Sequence, residues 1–148
     1  MTSTHTPAPP AHQRPATALR IALLAGALAL VGIPGRAADT SAAQQLERFS
    51  RQASDAPQAE RGRSFFTRTH GGDWSCASCH SSVPVAAGKH ASTGKAIEPL
   101  APAANSKAFT DSARVDKWFR RNCKDVLQRE CTAAEKADVI AWLLTLKP

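Results

Sequence analysis

The chain is poor in several things, and each shortage narrows its reading. Of its 148 residues only Met1 is methionine, so no thioether side chain serves any chemistry further along. Its longest apolar run, residues 21–31, spans eleven residues, against about 20 needed to cross the hydrocarbon core of a bilayer. No stretch alternates apolar and polar residues as a half-buried strand does. No internal repeat recurs, and low complexity is confined to the leading residues. Acids are missing altogether from residues 1–38. Beyond them sixteen basic residues face twelve acids and leave +4, well short of the footprint of a nucleic-acid binder. A nucleic-acid partner is therefore excluded, and the mildly basic surface suits solvent or an acidic protein partner.

What the leader does contain is ordered. Arg14 and Arg20 precede the apolar run, and Gly35-Arg36-Ala37 follows it. These are the three parts of a secretory signal peptide, with small residues at −3 and −1 placing the cut after Ala37. Residues 1–37 are expected to be removed, leaving 38–148 as one periplasmic domain with no membrane span. All four cysteines lie in that domain, and in an oxidising compartment spare thiols tend to pair.

Helical periodicity dominates the domain. Thr40 or Ser41 can cap a helix over about 42–53, with Leu46 and Phe49 on one face. Asp55 and Pro57 are expected to open a second helix, 58–67, carrying Phe65 and Phe66. His70-Gly-Gly-Asp73 breaks it. Residues 81–110, with Pro84, Pro99, Pro102, Gly88 and Gly94, read as a long ordered loop of the kind that wraps a cofactor. Asp111 or Ser112 starts a helix running to about Arg129. Thr132-Ala-Ala-Glu135 is a capping box opening the last helix, with Val139, Ile140, Leu143, Leu144 and Leu146 on its apolar side. The fold class is all-α.

Between the second helix and the loop stands Cys76-Ala-Ser-Cys79-His80, the Cys-x-x-Cys-His pattern of c-type haem attachment. Two thiols add across the two vinyl groups of one porphyrin, and the adjacent imidazole then lies under the iron as axial ligand. Trp74 and the two phenylalanines upstream are placed to pack on the ring. Two other chemistries use such cysteines. A thioredoxin-like site expects a βαβ setting, which is absent here. A zinc site would need Cys123 and Cys131, whose separation does not repeat the Cys-x-x-Cys knuckle.

Because Met1 leaves with the leader, a histidine–methionine haem is excluded. The opposite axial position falls to His70, His90, a lysine, Asn122, water or nothing. Val115, Trp118, Phe119, Asn122, Cys123 and Val126 share one stripe of the helix after Asp111. An unpaired amide in that stripe costs about 1–3 kcal/mol, so Asn122 needs a partner, either a backbone group or buried water, or the iron. A bridge from Cys123 to Cys131 would staple this helix to the next and hold the backbone presenting Asn122.

Together these segments resemble a known family. Gly94-Lys-Ala-Ile-Glu-Pro-Leu-Ala-Pro102, Phe109-Thr-Asp111, Val115-Asp-Lys-Trp-Phe-Arg-Arg-Asn-Cys123, Arg129-Glu-Cys-Thr132 and Glu135-Lys-Ala-Asp-Val-Ile-Ala-Trp142 are similar to the SHP-type cytochromes. These are oxygen-binding monohaem cytochromes c related to cytochrome c″. The resemblance implies a cytochrome c fold with one covalent haem c and an extra N-terminal helix. It implies Asn122 as the distal ligand, where cytochrome c″ has a histidine, and a Cys123–Cys131 disulfide. It also implies a dihaem cytochrome c as electron donor, itself fed by a membrane b-type cytochrome.

The expected function is to accept an electron and bind oxygen or nitric oxide at the site Asn122 vacates. Oxygen reduction and nitric oxide oxidation are compatible reactions. The competing reading is a six-coordinate electron carrier with His90 as its second ligand.

Overall fold

The computed structural model describes residues 1–3 and 40–148. The expected signal peptide therefore lies almost wholly outside the described residues. Among those residues, no helix is long and apolar enough to cross a membrane.

Five helices carry the domain. Helix α1, Ala42–Ser50, is capped by Ser41, whose hydroxyl accepts from the Gln44 N–H at 3.2 Å. It stops at Ser50, short of the expected residue 53. Helix α2 is Ala59–Thr67, and α3, Ala77–His80, is a single turn. Helix α4, Ser112–Leu127, starts on Asp111, which accepts from Arg114 N at 2.9 Å. It ends two residues earlier than expected, because Gln128 turns into the left-handed region at φ 61°. Helix α5, Ala133–Leu143, opens on the expected capping box of Thr132 and Glu135. Because α5 stops at Leu143, Leu144 lies beyond it and is exposed.

The opening of α2 departs from the expectation. Neither Asp55 nor Pro57 caps it. The cap comes from α5, where Asp138 accepts from Gln58 N at 2.7 Å and also pairs with Arg61. The two helices cross so closely at Gly62 that a Cβ there would lie 2.0 Å from the Asp138 carbonyl oxygen. Only a residue without a side chain fits that crossing.

Helix α5 is the pillar of the domain. Ala137, Ile140 and Leu143 have no exposed surface, and Val139 and Trp142 are buried too. A helix covered on nearly every side belongs at the centre of a fold. On one flank it meets Phe49 of α1 and Val115 of α4. On the other it meets Phe65 and Phe66 of α2, together with Cys123 and Leu127 of α4. The start of α1 is fastened to α4 by polar contacts. Gln45 donates to Ser112 Oγ at 2.7 Å, and Arg48 makes a two-pronged pair with Asp116 at 2.7 and 3.1 Å.

The loop from 81 to 110 is ordered, as expected, but it holds one element the sequence did not announce. Strands β1, Gly88–Lys89, and β2, Ala96–Ile97, pair antiparallel as a minimal hairpin. Farther along, the carbonyl of buried Pro84 accepts from Leu100 N and Ala101 N at 3.1 and 3.0 Å. That contact folds the loop back on itself beside α3.

Candidate haem site

The Cys-x-x-Cys-His segment is wound into one turn by its serines. Ser75 Oγ accepts from Ser78 N at 3.2 Å, while Ser78 Oγ accepts from Ser75 N at 3.0 Å. His80 N then donates to the Cys76 carbonyl at 3.1 Å. Cys76, Cys79 and His80 thus share a single turn, as two thiols and an imidazole serving one planar group must. This reciprocal serine cap was legible in the spacing Ser75-x-x-Ser78, which resembles a capping box, and sequence reasoning passed over it.

Burial sets the chemistry of these groups. It pushes the Cys76 thiol up to about 11, so that it stays a neutral thiol. That argues against a thioredoxin-like site, which needs a lowered thiol. Burial also lowers the His80 imidazole below its ordinary value and keeps it in the neutral form that ligates metal. Its Nδ1 is buried with no hydrogen-bond partner. Such an orphan costs about 1–3 kcal/mol in a core and fits a residue placed for a cofactor more than for packing. Two attachment thiols and a neutral imidazole on one turn suit haem c.

A zinc reading fails on the same geometry. Cys123 and Cys131 form a disulfide with their Cα atoms 5.6 Å apart, which withdraws both from any metal. Among the described residues, no three His, Cys, Asp or Glu side chains converge as a metal site.

Around the motif, Cys76 and Ala77 pack against the core cluster that contains Phe65, Phe66, Cys123 and Cys131. The Phe66 ring centre lies 6.1 Å from that of His80. Trp74 is 40% exposed and lies outside that cluster. Gly88 of β1 sits directly on the motif, where a Cβ would come within 2.2 Å of the Cys79 carbonyl oxygen and 3.0 Å of the His80 Cα.

The candidate axial ligands separate by their contacts. His70 has its Nε2 on the Phe65 carbonyl at 2.8 Å and its ring 4.5 Å from Phe65. His90 sits in the hairpin turn, where its Nδ1 accepts from Ser92 N and Thr93 N at 3.3 Å each. The next residue, Ala91, donates its N–H to Cys79 Sγ at 3.3 Å. That turn is tied to the attachment segment itself. Asn122 lies half-buried on α4 beside the disulfide. The two asparagines of the chain differ sharply: Asn105 bonds to Pro99 O at 2.9 Å and to Lys107 N at 3.1 Å. The Asn122 carboxamide has no hydrogen-bond partner among the described residues.

Known proteins resemble the chain in sequence and fold. A family described as "Domain of unknown function (DUF1924)" matches residues 52–143. "Cytochrome c-type protein SHP" of Cereibacter sphaeroides is 46% identical over 119 residues, which cover 78% of this chain and 92% of that protein. A solved structure described as oxidized SHP, an oxygen-binding cytochrome c, superposes with a TM-score of 0.68 over 73% of this chain and 99% of that one, at 46% identity. The solution structure of cytochrome c″ from Methylophilus methylotrophus, described as giving insight into haem-ligand detachment, superposes with a TM-score of 0.64 at 38% identity, over 72% and 94% of the two chains. Helix α1 is then the extra N-terminal helix of an otherwise cytochrome c-like, all-α fold, and residues 81–110 are its haem-wrapping loop. Likeness of this depth, carried across both sequence and architecture, places the chain in the family of SHP-type cytochromes c, relatives of cytochrome c″, with haem c as its cofactor.

Proposed function

We propose that this chain is a periplasmic gas-binding cytochrome, exported after loss of residues 1–37, whose distal site opens on reduction. Bound here, haem would supply a one-electron couple and an iron able to take a diatomic gas. Cys76 and Cys79 attach one haem by thioether bonds, and His80 presents its neutral imidazole to the iron. Asn122 would offer its carboxamide oxygen as the second protein ligand. An amide oxygen is a neutral, hard and weak donor, better matched to ferric than to ferrous iron. With one electron delivered by a dihaem cytochrome c, or a membrane b-type cytochrome, Asn122 would be held less well and would release. The Cys123–Cys131 staple keeps its amide close, where the NH₂ group can donate to arriving oxygen or nitric oxide.

The observation that carries this reading is the unpartnered Asn122 carboxamide, held beside a disulfide whose Cys123 belongs to the core cluster that Cys76 and Ala77 pack against. The oxygen binding described for SHP and the ligand detachment described for cytochrome c″ point the same way. The competing role for His90 has the geometry against it, because Nδ1 is engaged in its own turn and the turn is tied to Cys79.

The test uses the holoprotein. Reduced protein should give a high-spin absorption spectrum and bind carbon monoxide. Asn122→Ala should leave a ferric form that takes up cyanide or azide at least tenfold more readily. An unchanged ferric spectrum and anion affinity in Asn122→Ala would transfer the ligand role to another group, with His90 first in line.

A further inference from the structure

The hairpin between residues 88 and 97 supplies no attachment or ligand group in the reading above, yet it touches the attachment turn twice. Gly88 lies against the backbone of Cys79 and His80. Ala91 N–H donates to Cys79 Sγ, the atom that the thioether joins to the edge of the macrocycle. Three basic side chains crown this hairpin. Lys89 and Lys95 are exposed and His90 is half-buried between them. Neither lysine pairs with a carboxylate among the described residues. Gly94, with φ of +68°, makes the turn, and a Cβ there would come within 3.3 Å of the Lys89 Cε.

A second basic surface exists on the outer side of α4, with Arg114, Lys117, Arg120, Arg121 and Lys124. Acids interrupt it. Asp116 pairs with Arg48 across to α1, and Asp125 lies 3.9 Å from Arg121. None of its basic side chains bonds to the attachment turn among the described residues. Arg114, Lys117, Arg120 and Lys124 are unpaired too among the described residues, so what the hairpin has and the helix lacks is a hydrogen bond to an attachment sulfur beside its unpaired positive charge.

We infer that the 88–97 hairpin is the docking surface for an acidic one-electron donor protein, and that the electron enters past Ala91 and Cys79. This rests on the reading of the chain as an electron-accepting cytochrome. Complementary charge draws the partner to Lys89 and Lys95 and speeds encounter at low salt. Once docked, the partner stands one hydrogen bond from the thioether sulfur. The step itself would move one electron: the donor is oxidised by one, the bound haem is reduced by one, and the only bond change is the proposed release of Asn122.

Reduced plant-type ferredoxin, an acidic iron–sulfur protein and strong reductant, serves as the probe. In stopped-flow reduction of the ferric holoprotein at low ionic strength, Lys89→Glu plus Lys95→Glu should lower the second-order rate constant roughly tenfold and flatten its salt dependence. Arg120→Glu plus Lys124→Glu, which changes net charge equally on α4, should leave it within about twofold. Oxidised ferredoxin added to isotope-labelled ferric holoprotein should shift amide resonances of residues 88–97, a readout that needs no electron transfer. Equal slowing by both pairs, or shifts confined to α4, would overturn the assignment. Hairpin shifts in a protein that fails to bind carbon monoxide would uphold it while defeating the proposed gas binding.

Discussion

Asp138 joins two helices through one carboxylate. It is only 2% exposed, accepts from Gln58 N at the mouth of α2 and pairs with Arg61. The acid sits in the interior of its own helix, yet it serves as the N-cap of another one eighty residues upstream in sequence. Asp138→Ala should lower stability by about 1–2 kcal/mol through the lost cap alone, seen as a lower denaturation midpoint in urea. Arg61→Ala should cost less, since its guanidinium faces solvent. If the two variants were equal, the ion pair rather than the cap would be the stabilising contact. Asn122 presents the opposite case, a polar side chain for which the protein offers no partner. Its place in an apolar stripe marked it in the sequence, because an amide among Val115, Phe119 and Val126 breaks the period of the helix.

At the scale of elements, caps made within one turn were readable in advance. Ser41, Asp111 and the Thr132–Glu135 box all act within three residues of the groups they satisfy. The end of α4 was not readable. A glycine commonly marks such a stop, and Gln128 adopts the left-handed conformation without one. The start of α5 also carries a pH dependence. Burial opposes ionisation of Glu135, but hydrogen bonds from Arg129 and from Thr132 outweigh it and hold the carboxyl below the usual range. A carboxyl lowered on folding contributes stability above its unfolded value of about 4.3, and loses it as pH falls through the lower folded value. Glu135→Gln should therefore be less stable than the parent at neutral pH by about 1 kcal/mol. The two should converge in strong acid when thermal melts are compared across pH. A constant gap would mean that the box acts by shape alone.

Across the whole molecule, the core gathers towards the attachment turn. The larger cluster unites α2, α4 and α5, and Cys76 and Ala77 pack against it. Residues 81–110 have little regular structure of their own beyond two-residue strands. In a domain so arranged, the proposed haem would form part of the interior. Cys76→Ala plus Cys79→Ala should give protein that is largely unfolded, with weak helical dichroism and no sharp melt. Retention of full helicity with a cooperative transition would show that α1, α2, α4 and α5 suffice by themselves.

The sequence by itself determined the helical class, the Cys-x-x-Cys-His segment, three of the caps and part of the apolar stripe around Asn122, from which exposed Trp118 drops out. Each depends on residues no more than a few positions apart along a helix or in a motif, where spacing alone decides which groups can meet. Only the tertiary structure decided that Asp138 caps α2, that Gly62 and Gly88 are points of backbone contact, and that a hairpin in the loop bonds to Cys79. Those contacts join segments distant in sequence. Their energies come from close packing and from polar groups hidden from water, which exist only once the chain has brought the segments together.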